Sequence, residues 1–214
     1  MNSMTDTDSG GPARQAYHHG DLRSALLEAA EQELAAKGVE RFSMRGVAKR
    51  AGVSHAAPAH HFKDVNGLLT ALAALGFRKL VERQKVFMAD AKPAAWNQLM
   101  ASGLGYVVFA LENPPVFRLM FSSDRPDLEN PELKEAVDLS YAVMVDQLRI
   151  LHGAGPDENP AVGIDMAAAW AVVHGLADIL ASNRLPQISD LPPPARNMAI
   201  MAIIGRAMPE LSKR

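Results

Sequence analysis

Residues 42–62 read FSMRGVAKRAGVSHAAPAHHF, and this segment contains the signals of two short helices joined by a tight turn. Ser43 is a good N-cap for the first helix, because its hydroxyl can accept a hydrogen bond from a free N–H of the first turn. Gly52 supplies the positive φ that the turn requires. A second cap at Ser54 predicts that the next helix begins at His55. These lengths are typical of a helix-turn-helix, although a purely structural helical hairpin has the same pattern.

The rest of the chain has helical periodicity almost throughout, and no β-branched run alternates with polar residues over a useful length. Leucine and alanine recur at spacings of three and four from Asp21 to Lys37, which predicts a helix capped by Asp21 and ended by Gly38. A long helix, capped by Asp64 and long enough to connect two domains, is predicted to run to about Ala91, and five more follow. The predicted fold class is therefore all-α, with about nine helices.

Composition and charge limit the possible functions. The chain has 214 residues and no cysteine, which excludes a disulfide scaffold and any cysteine-ligated metal site. Its net charge is -2, yet residues 14–63 carry +3 and five of the seven histidines. A modest basic segment on an acidic body is a weak indication of nucleic-acid binding.

No membrane span or export signal is predicted. The most apolar stretch, residues 161–182, contains Asp165, His174 and Asp178, so it does not qualify as a transmembrane segment. Residues 1–16 are small and polar and lack the apolar core of a signal peptide, and we expect them to form a disordered tail. The protein is therefore expected to be cytoplasmic.

Small residues at the start of the second helix of the pair would let that helix sit deep in a major groove about 12 Å wide. Several cationic side chains lie near it in the chain and are candidates for phosphate contacts. The nearby histidines face different ways on a short helix and no carboxylate repeats at ligand spacing, so we predict no metal site. The predicted DNA contacts from this segment are Ser43, Arg45, Ser54, His55, Ala56, Ala57, His60 and Lys63.

Three motifs resemble the DNA-binding domain of the tetracycline-repressor (TetR) family of bacterial regulators: YHHGDLR at 17–23, FSMRGVAKRAGVS at 42–54 and HFKD at 61–64. The resemblance implies a homodimer with a helix-turn-helix in each subunit. It also implies release of a DNA operator when a small molecule occupies the C-terminal domain. On this resemblance Tyr17, His18 and His19 join the predicted DNA contacts.

One position departs from the family pattern. Many relatives carry a tyrosine, which reaches the DNA backbone, where this chain has Ala59. Loss of one such hydrogen bond weakens DNA binding by about 0.5–1.5 kcal/mol. The expected effect is either a reduced operator affinity or an altered half-site preference, while the fold is unaffected.

In the C-terminal half, WAVVHG at 170–175 resembles the Trp-His-Gly signature of one subgroup of TetR ligand domains, and NPPVFRLMF at 113–121 resembles a segment common in it. A histidine on an apolar helix is commonly a hydrogen-bonded core residue, and the alternative is a polar contact inside a ligand cavity. An apolar, methionine-containing cavity suits a hydrophobic or aromatic ligand. The predicted lining residues are Tyr106, Phe109, Phe117, Met120, Phe121, Tyr141, Met144, Trp170 and His174.

Small residues in the helix at 161–183 and in the last helix fit a four-helix dimer seam, although an intramolecular core helix has the same composition. The resemblance favours the dimer. We assign residues 1–16 to the tail, 17–64 to a DNA-binding helix-turn-helix domain and 65–214 to a ligand-binding and dimerisation domain.

The sequence thus predicts a ligand-responsive transcriptional repressor. It binds a palindromic operator in double-stranded DNA as a homodimer, and a small hydrophobic or aromatic effector releases it. No cofactor, metal, catalytic group or membrane partner is predicted. Two alternatives remain open: a helical small-molecule-binding protein with a weakened DNA-binding domain, which Ala59 favours, and an all-α hydrolase or lyase that uses the same cavity.

Overall fold

The computed structural model describes residues 19–208, and every regular element in that range is an α-helix, which confirms the all-α prediction. The predicted tail lies outside this range. Ten helices are present there, one more than predicted, because a four-residue helix interrupts the loop before the last helix. In chain order they are α1 (His19–Lys37), α2 (Met44–Ala51), α3 (Ala57–Phe62), α4 (Val65–Ala89), α5 (Ala95–Glu112), α6 (Pro114–Ser122), α7 (Pro131–His152), α8 (Pro160–Ala181), α9 (Pro186–Ser189) and α10 (Pro193–Ala207).

The first three helices pack around an apolar core, and local signals fix several of their ends. The hydroxyl of Ser43 accepts the N–H of Gly46 at 3.1 Å, which confirms the predicted cap of α2. Gly52 follows α2 with a φ of 67°, in the left-handed region, so α2 and α3 meet across a tight turn. Asp21 lies inside α1 and is not its cap, since α1 begins at His19. The buried residues here include Leu26, Ala30, Leu34, Phe42, Val47, Ala48 and Phe62.

The second helix of the pair begins two residues later than predicted, so the cap at Ser54 and the helix start at His55 are wrong. α3 starts at Ala57, and no side chain caps it. Ser54 contributes its backbone carbonyl, which accepts the N–H of Ala57 at 3.1 Å. The cause is Pro58. Proline has no N–H, so it fits the first turn of a helix but not the fourth position, where an intrahelical hydrogen bond is required.

α4 connects the helix pair to the remaining helices. Its 25 residues span about 37 Å. It begins at the predicted cap, Asp64, whose Oδ1 accepts the N–H of Gly67 at 2.8 Å. It packs against α1 and α3 and also against α5, α6 and α7. A single helix therefore contacts both the helix pair and the C-terminal bundle.

A charged contact also joins α1 to the C-terminal bundle. Glu132, in the first turn of α7, accepts a hydrogen bond from Arg23 of α1 at 2.8 Å and another from Arg78 of α4 at 2.9 Å. Nearby, the N–H of Asp127 donates to the hydroxyl of Thr70 at 2.9 Å. The start of α7 is thereby tied to α1 and α4.

α8 is long and apolar enough to cross a membrane by length and composition, and 28% of the residues in its apolar window are buried. A core helix of a soluble protein passes the same test. α8 packs against α5, α7 and α10, so this property is no evidence of a membrane span.

Candidate nucleic-acid interface and internal cavity

The tip, which we define as residues 54–57, joins α2 to α3 at the protein surface. Ser54, His55 and Ala56 are exposed, and Ala57 is half-buried. Apart from the imidazole of His55, the side chains are small. The tip is therefore slim enough to enter a groove about 12 Å wide. Ser43, at the start of α2, is half-buried and its hydroxyl is engaged in the cap.

The cations that flank the tip fall into two groups. Arg45, His60 and Lys63 are exposed, and neither Arg45 nor Lys63 forms an ion pair with any residue from 22 to 208, the range whose side chains the structure describes. Arg50 differs, because its Nε donates to Oε2 of Glu33 at 2.6 Å. Unpaired cations can neutralise phosphates and release counterions. Arg45 and Lys63 are thus available to DNA, whereas Arg50 stabilises the fold. Tyr17, His18 and the side chain of His19 lie outside the described residues.

Lys63 is held at the junction of α3 and α4. Its φ is 68° and its ψ is -62°, the conformation of a γ-turn with positive φ, which is rare and strained for a residue with a side chain. The N–H of Lys63 bonds to the carbonyl of Ala59 at 3.0 Å, and the N–H of Asp64 bonds to the carbonyl of Phe62 at 2.8 Å. This backbone network fixes the direction in which the lysine leaves the protein.

Glu33 is a positioning residue that the sequence reasoning missed. Its side chain is 5% exposed and binds Arg50 of α2 from within α1. α2 approaches so closely that a Cβ at Gly46 would lie 2.0 Å from Oε1 of Glu33. The pair therefore sets the position of α2, and the glycine inside that short helix is the sequence signal that indicates a close contact.

A cavity of about 580 Å³ lies among α4, α5, α7 and α8. Its volume is typical of sites for drug-sized ligands. Most of its wall is aliphatic, aromatic or methionine, and none of the lining residues within the described range is charged. The wall consists of Phe77, Gln84, Leu99, Ser102, Gly103, Tyr106, Phe121, Leu128, Val137, Ser140, Tyr141, Met144, Met166, Ala167, Ala169, Trp170, Val173 and Met208.

Of the nine side chains predicted at a ligand site, the structure places five on this wall and four behind it. Phe117 packs edge-on against Tyr106, with ring centroids 5.9 Å apart. Met120 fills the space beside Gly76, where a Cβ would lie 2.6 Å from its sulfur. Periodicity predicts which residues share a helix face. It does not predict how deeply each side chain is buried, because that depends on how the other helices pack. On the wall are Tyr106, Phe121, Tyr141, Met144 and Trp170; behind it are Phe109, Phe117, Met120 and His174.

His174 contacts the cavity through a partner. Its Nδ1 lies 2.8 Å from the hydroxyl of Tyr106, and its ring packs against that of Phe121 with centroids 4.9 Å apart. Burial raises the pKa of the Tyr106 hydroxyl, and burial lowers the pKa of His174 below its usual value. Both groups are therefore neutral at neutral pH. His174 is half-buried and hydrogen-bonded to Tyr106, and Tyr106 is the member of the pair that reaches the wall.

Two family models match this chain. "Bacterial regulatory proteins, tetR family" matches residues 26–72, and "Tetracyclin repressor-like, C-terminal domain" matches residues 99–200. Together they span more than two thirds of the chain and include the tip and most of the cavity wall. The chain belongs to the TetR family of transcriptional regulators. TetR-family proteins bind DNA operators and small-molecule effectors, and the family is one of regulators and not of enzymes.

Solved structures agree with this assignment. A protein of unknown function from Rhodococcus sp. RHA1 is 31% identical, with a TM-score of 0.73 over 94% of this chain and 98% of that one. The TetR-family regulator PfmR from Thermus thermophilus is 19% identical, with a TM-score of 0.61 over 86% and 97%. LfrR from Mycobacterium smegmatis, solved with proflavine, is 19% identical, with a TM-score of 0.58 over 87% and 94%. No curated protein matches the chain.

Proposed function

We propose that this TetR-family protein is a repressor that binds a palindromic DNA operator as a homodimer and is released by a small hydrophobic or aromatic effector in the cavity. The main support for this proposal is that α4 contacts both the helix pair and the cavity. The first turn of α4 packs against the end of α3, and Phe77 and Gln84 further along α4 form part of the cavity wall. A ligand that alters the packing of α4 therefore acts on the tip. The coupling is reciprocal, so operator DNA weakens effector binding by the same factor.

The effector class follows from the wall of the cavity. An apolar, uncharged wall favours a ligand that loses little hydration when it enters. LfrR, a protein of the same fold, was solved with the aromatic compound proflavine, which supports the aromatic character of the proposed effector. The Trp-His-Gly string at 170–175 supports placement in the corresponding subgroup, since Trp170 contributes to the wall.

Exposed apolar residues on α8 and α10 support the homodimer. Ile164 is 71% exposed and Met198 is 74% exposed, so both side chains are free to pack against a second subunit. On α8, Ala168, Ala171 and Gly175 continue the line of Ile164 at spacings of three and four, and small residues permit close approach of a second helix. The proposed dimer pairs these two helices with their copies. Acting on bacterial DNA, it works in the cytoplasm.

In the proposed division of the chain, residues 17–64 bind DNA and residues 65–214 bind the effector and the second subunit. Lys63 contacts phosphate and His55 contacts base edges. We expect Lys63→Ala to weaken binding to all duplexes equally and to reduce the slope of log affinity against log salt by about one. Because alanine has a Cβ, as lysine does, the backbone strain at position 63 is the same in the variant and the wild type. We expect His55→Ala to change the rank order among duplexes instead.

Binding titrations of both variants on a panel of duplexes, at several salt concentrations, test these roles. Equal losses for both variants on every duplex would contradict the assignment. The second candidate function is a small-molecule-binding protein with a weakened DNA-binding domain, and the exposed Ala59 favours it because no aromatic side chain reaches out from that position. It predicts that the wild-type protein binds no duplex, even at low salt.

A further inference from the structure

Gln84 is an unusual residue for an apolar cavity wall. It lies on α4, where a Cβ at Gly105 of α5 would be 2.7 Å from its Cα, and its side chain is 5% exposed. Its Nε2 donates to the carbonyl of Ser102 at 3.4 Å. Its Oε1 is buried and has no hydrogen-bond partner among the described residues. A polar side chain is thus fixed inside the bundle with half of its carboxamide unsatisfied.

The orientation of the carboxamide follows from its neighbour. A carbonyl only accepts hydrogen bonds, so Nε2 must face the carbonyl of Ser102, and the atom left over is an acceptor. Buried acceptors in folded proteins are nearly always paired, and an unpaired one destabilises the protein. Because Gln84 lies on the cavity wall, a ligand whose donor reaches this acceptor would remove the cost of leaving it unpaired.

Three of the four hydroxyl groups on the same wall, those of Ser102, Tyr106 and Tyr141, have a hydrogen-bond partner. Ser102 donates to the carbonyl of Leu99 at 2.8 Å, and Tyr141 donates to the sulfur of Met166 at 2.9 Å. The hydroxyl of Tyr106 is hydrogen-bonded to Nδ1 of His174. Among the described wall residues, Gln84 is the one that carries a buried side-chain N or O atom without a partner.

We propose that Gln84 recognises the effector through a hydrogen bond. Its carboxamide oxygen accepts this bond from a hydroxyl or amine N–H on an otherwise apolar, uncharged ligand. This inference rests on the proposed effector site and specifies its ligand class. An ionised ligand is disfavoured because the described wall offers no opposite charge to replace its hydration. A ligand with no donor leaves Oε1 unpaired in the complex, as it is in the free protein.

Three fluorescent probes with one ring system test the proposal: 1-hydroxypyrene, 1-methoxypyrene and pyrene-1-carboxylate. Binding is followed by energy transfer from tryptophan in a Trp96→Phe background, in which Trp170 on the cavity wall is the single donor. We expect 1-hydroxypyrene to bind about tenfold tighter than 1-methoxypyrene at neutral pH, and the carboxylate to bind weakest. In Gln84→Met, which keeps the side-chain length, the two neutral probes should bind equally.

Two controls separate this role from a structural one. Gln147→Met removes the same kind of unpaired acceptor from a buried glutamine of α7 that is not on the cavity wall, and it should keep the preference for 1-hydroxypyrene. Gln84→Met should raise the melting temperature of the ligand-free protein by about 2–4 °C, because it removes a buried unpaired acceptor. Equal binding of both neutral probes to the wild type, or a preference that survives in Gln84→Met, overturns the role of Gln84 and leaves the effector site standing. If no probe binds the wild type, the effector site itself is wrong.

Discussion

At Gly105 the backbones of α4 and α5 lie so close that no side chain fits between them. A Cβ there would be 2.7 Å from Cα of Gln84 and 3.0 Å from the carbonyl oxygen of Arg83. These are backbone atoms, which cannot rotate away. We expect Gly105→Ala to lower the free energy of unfolding by about 1–3 kcal/mol, the usual effect of overpacking, as measured by urea denaturation.

The same substitution at Gly163 of α8 is the matched control. Its Cβ would meet the Cβ of Pro156 at 3.9 Å, an ordinary contact. Because alanine is the better helix former, Gly163→Ala should stabilise the protein by up to about 1 kcal/mol. A Gly105→Ala protein as stable as the wild type would contradict the close crossing of the two helices.

Some residue roles were predictable because they depend on local sequence. The caps at Ser43 and Asp64 and the turn at Gly52 use atoms within a few residues of one another. Glu33 and Gln84 were not predictable, because a polar residue on a helix has the same local pattern whether it is solvated or buried. Their burial depends on helices that are distant in the sequence.

At the scale of single helices, the start of α7 joins the DNA-binding end of the protein to the cavity. Burial raises the pKa of the Glu132 carboxyl, but hydrogen bonds from Arg78 and Arg23 outweigh it, and the pKa is lowered below its usual value. A lowered pKa means that the carboxylate stabilises the fold above the unfolded value of 4.5, and that this contribution is lost as the pH falls through the folded value.

We therefore expect Glu132→Gln to lower the free energy of unfolding near neutral pH, by less than about 1 kcal/mol because the site is partly exposed to solvent. The difference from the wild type should shrink as the pH falls below 4.5. Glu135→Gln is the control, since Glu135 is 70% exposed and lies 3.9 Å from Arg78. Thermal melts of the three proteins across this pH range measure both effects. A constant difference between Glu132→Gln and the wild type at every pH would contradict the ionic role.

The helices themselves were largely predictable, and the exceptions have physical causes. A long amphipathic segment such as α7 repeats its apolar residues often enough to show a clear period. α3 starts late because Pro58 fits only its first turn. α9 has four residues, too few for any periodicity to be visible.

For the molecule as a whole, the sequence motifs identified the family, and the structure shows how the parts of one subunit meet. The apolar character of the cavity was predictable from its aromatic and methionine content. The contribution of α4 to its wall was not, because Phe77 and Gln84 lie in a helix that the sequence indicated only as a connection between domains. α4 thus contacts α3, which begins at the tip, and also forms part of the cavity wall.

The most direct test of the proposed repressor is selection of DNA by the purified protein from a library of random duplexes. The account predicts enrichment of an inverted repeat whose two halves lie one helical turn apart, about 34–36 Å, or a multiple of it, because two tips enter successive major grooves. A protein carrying both Arg45→Ala and Lys63→Ala should lose this enrichment. If the wild type enriches no motif beyond the one recovered with that double variant, DNA binding through the paired tips is contradicted.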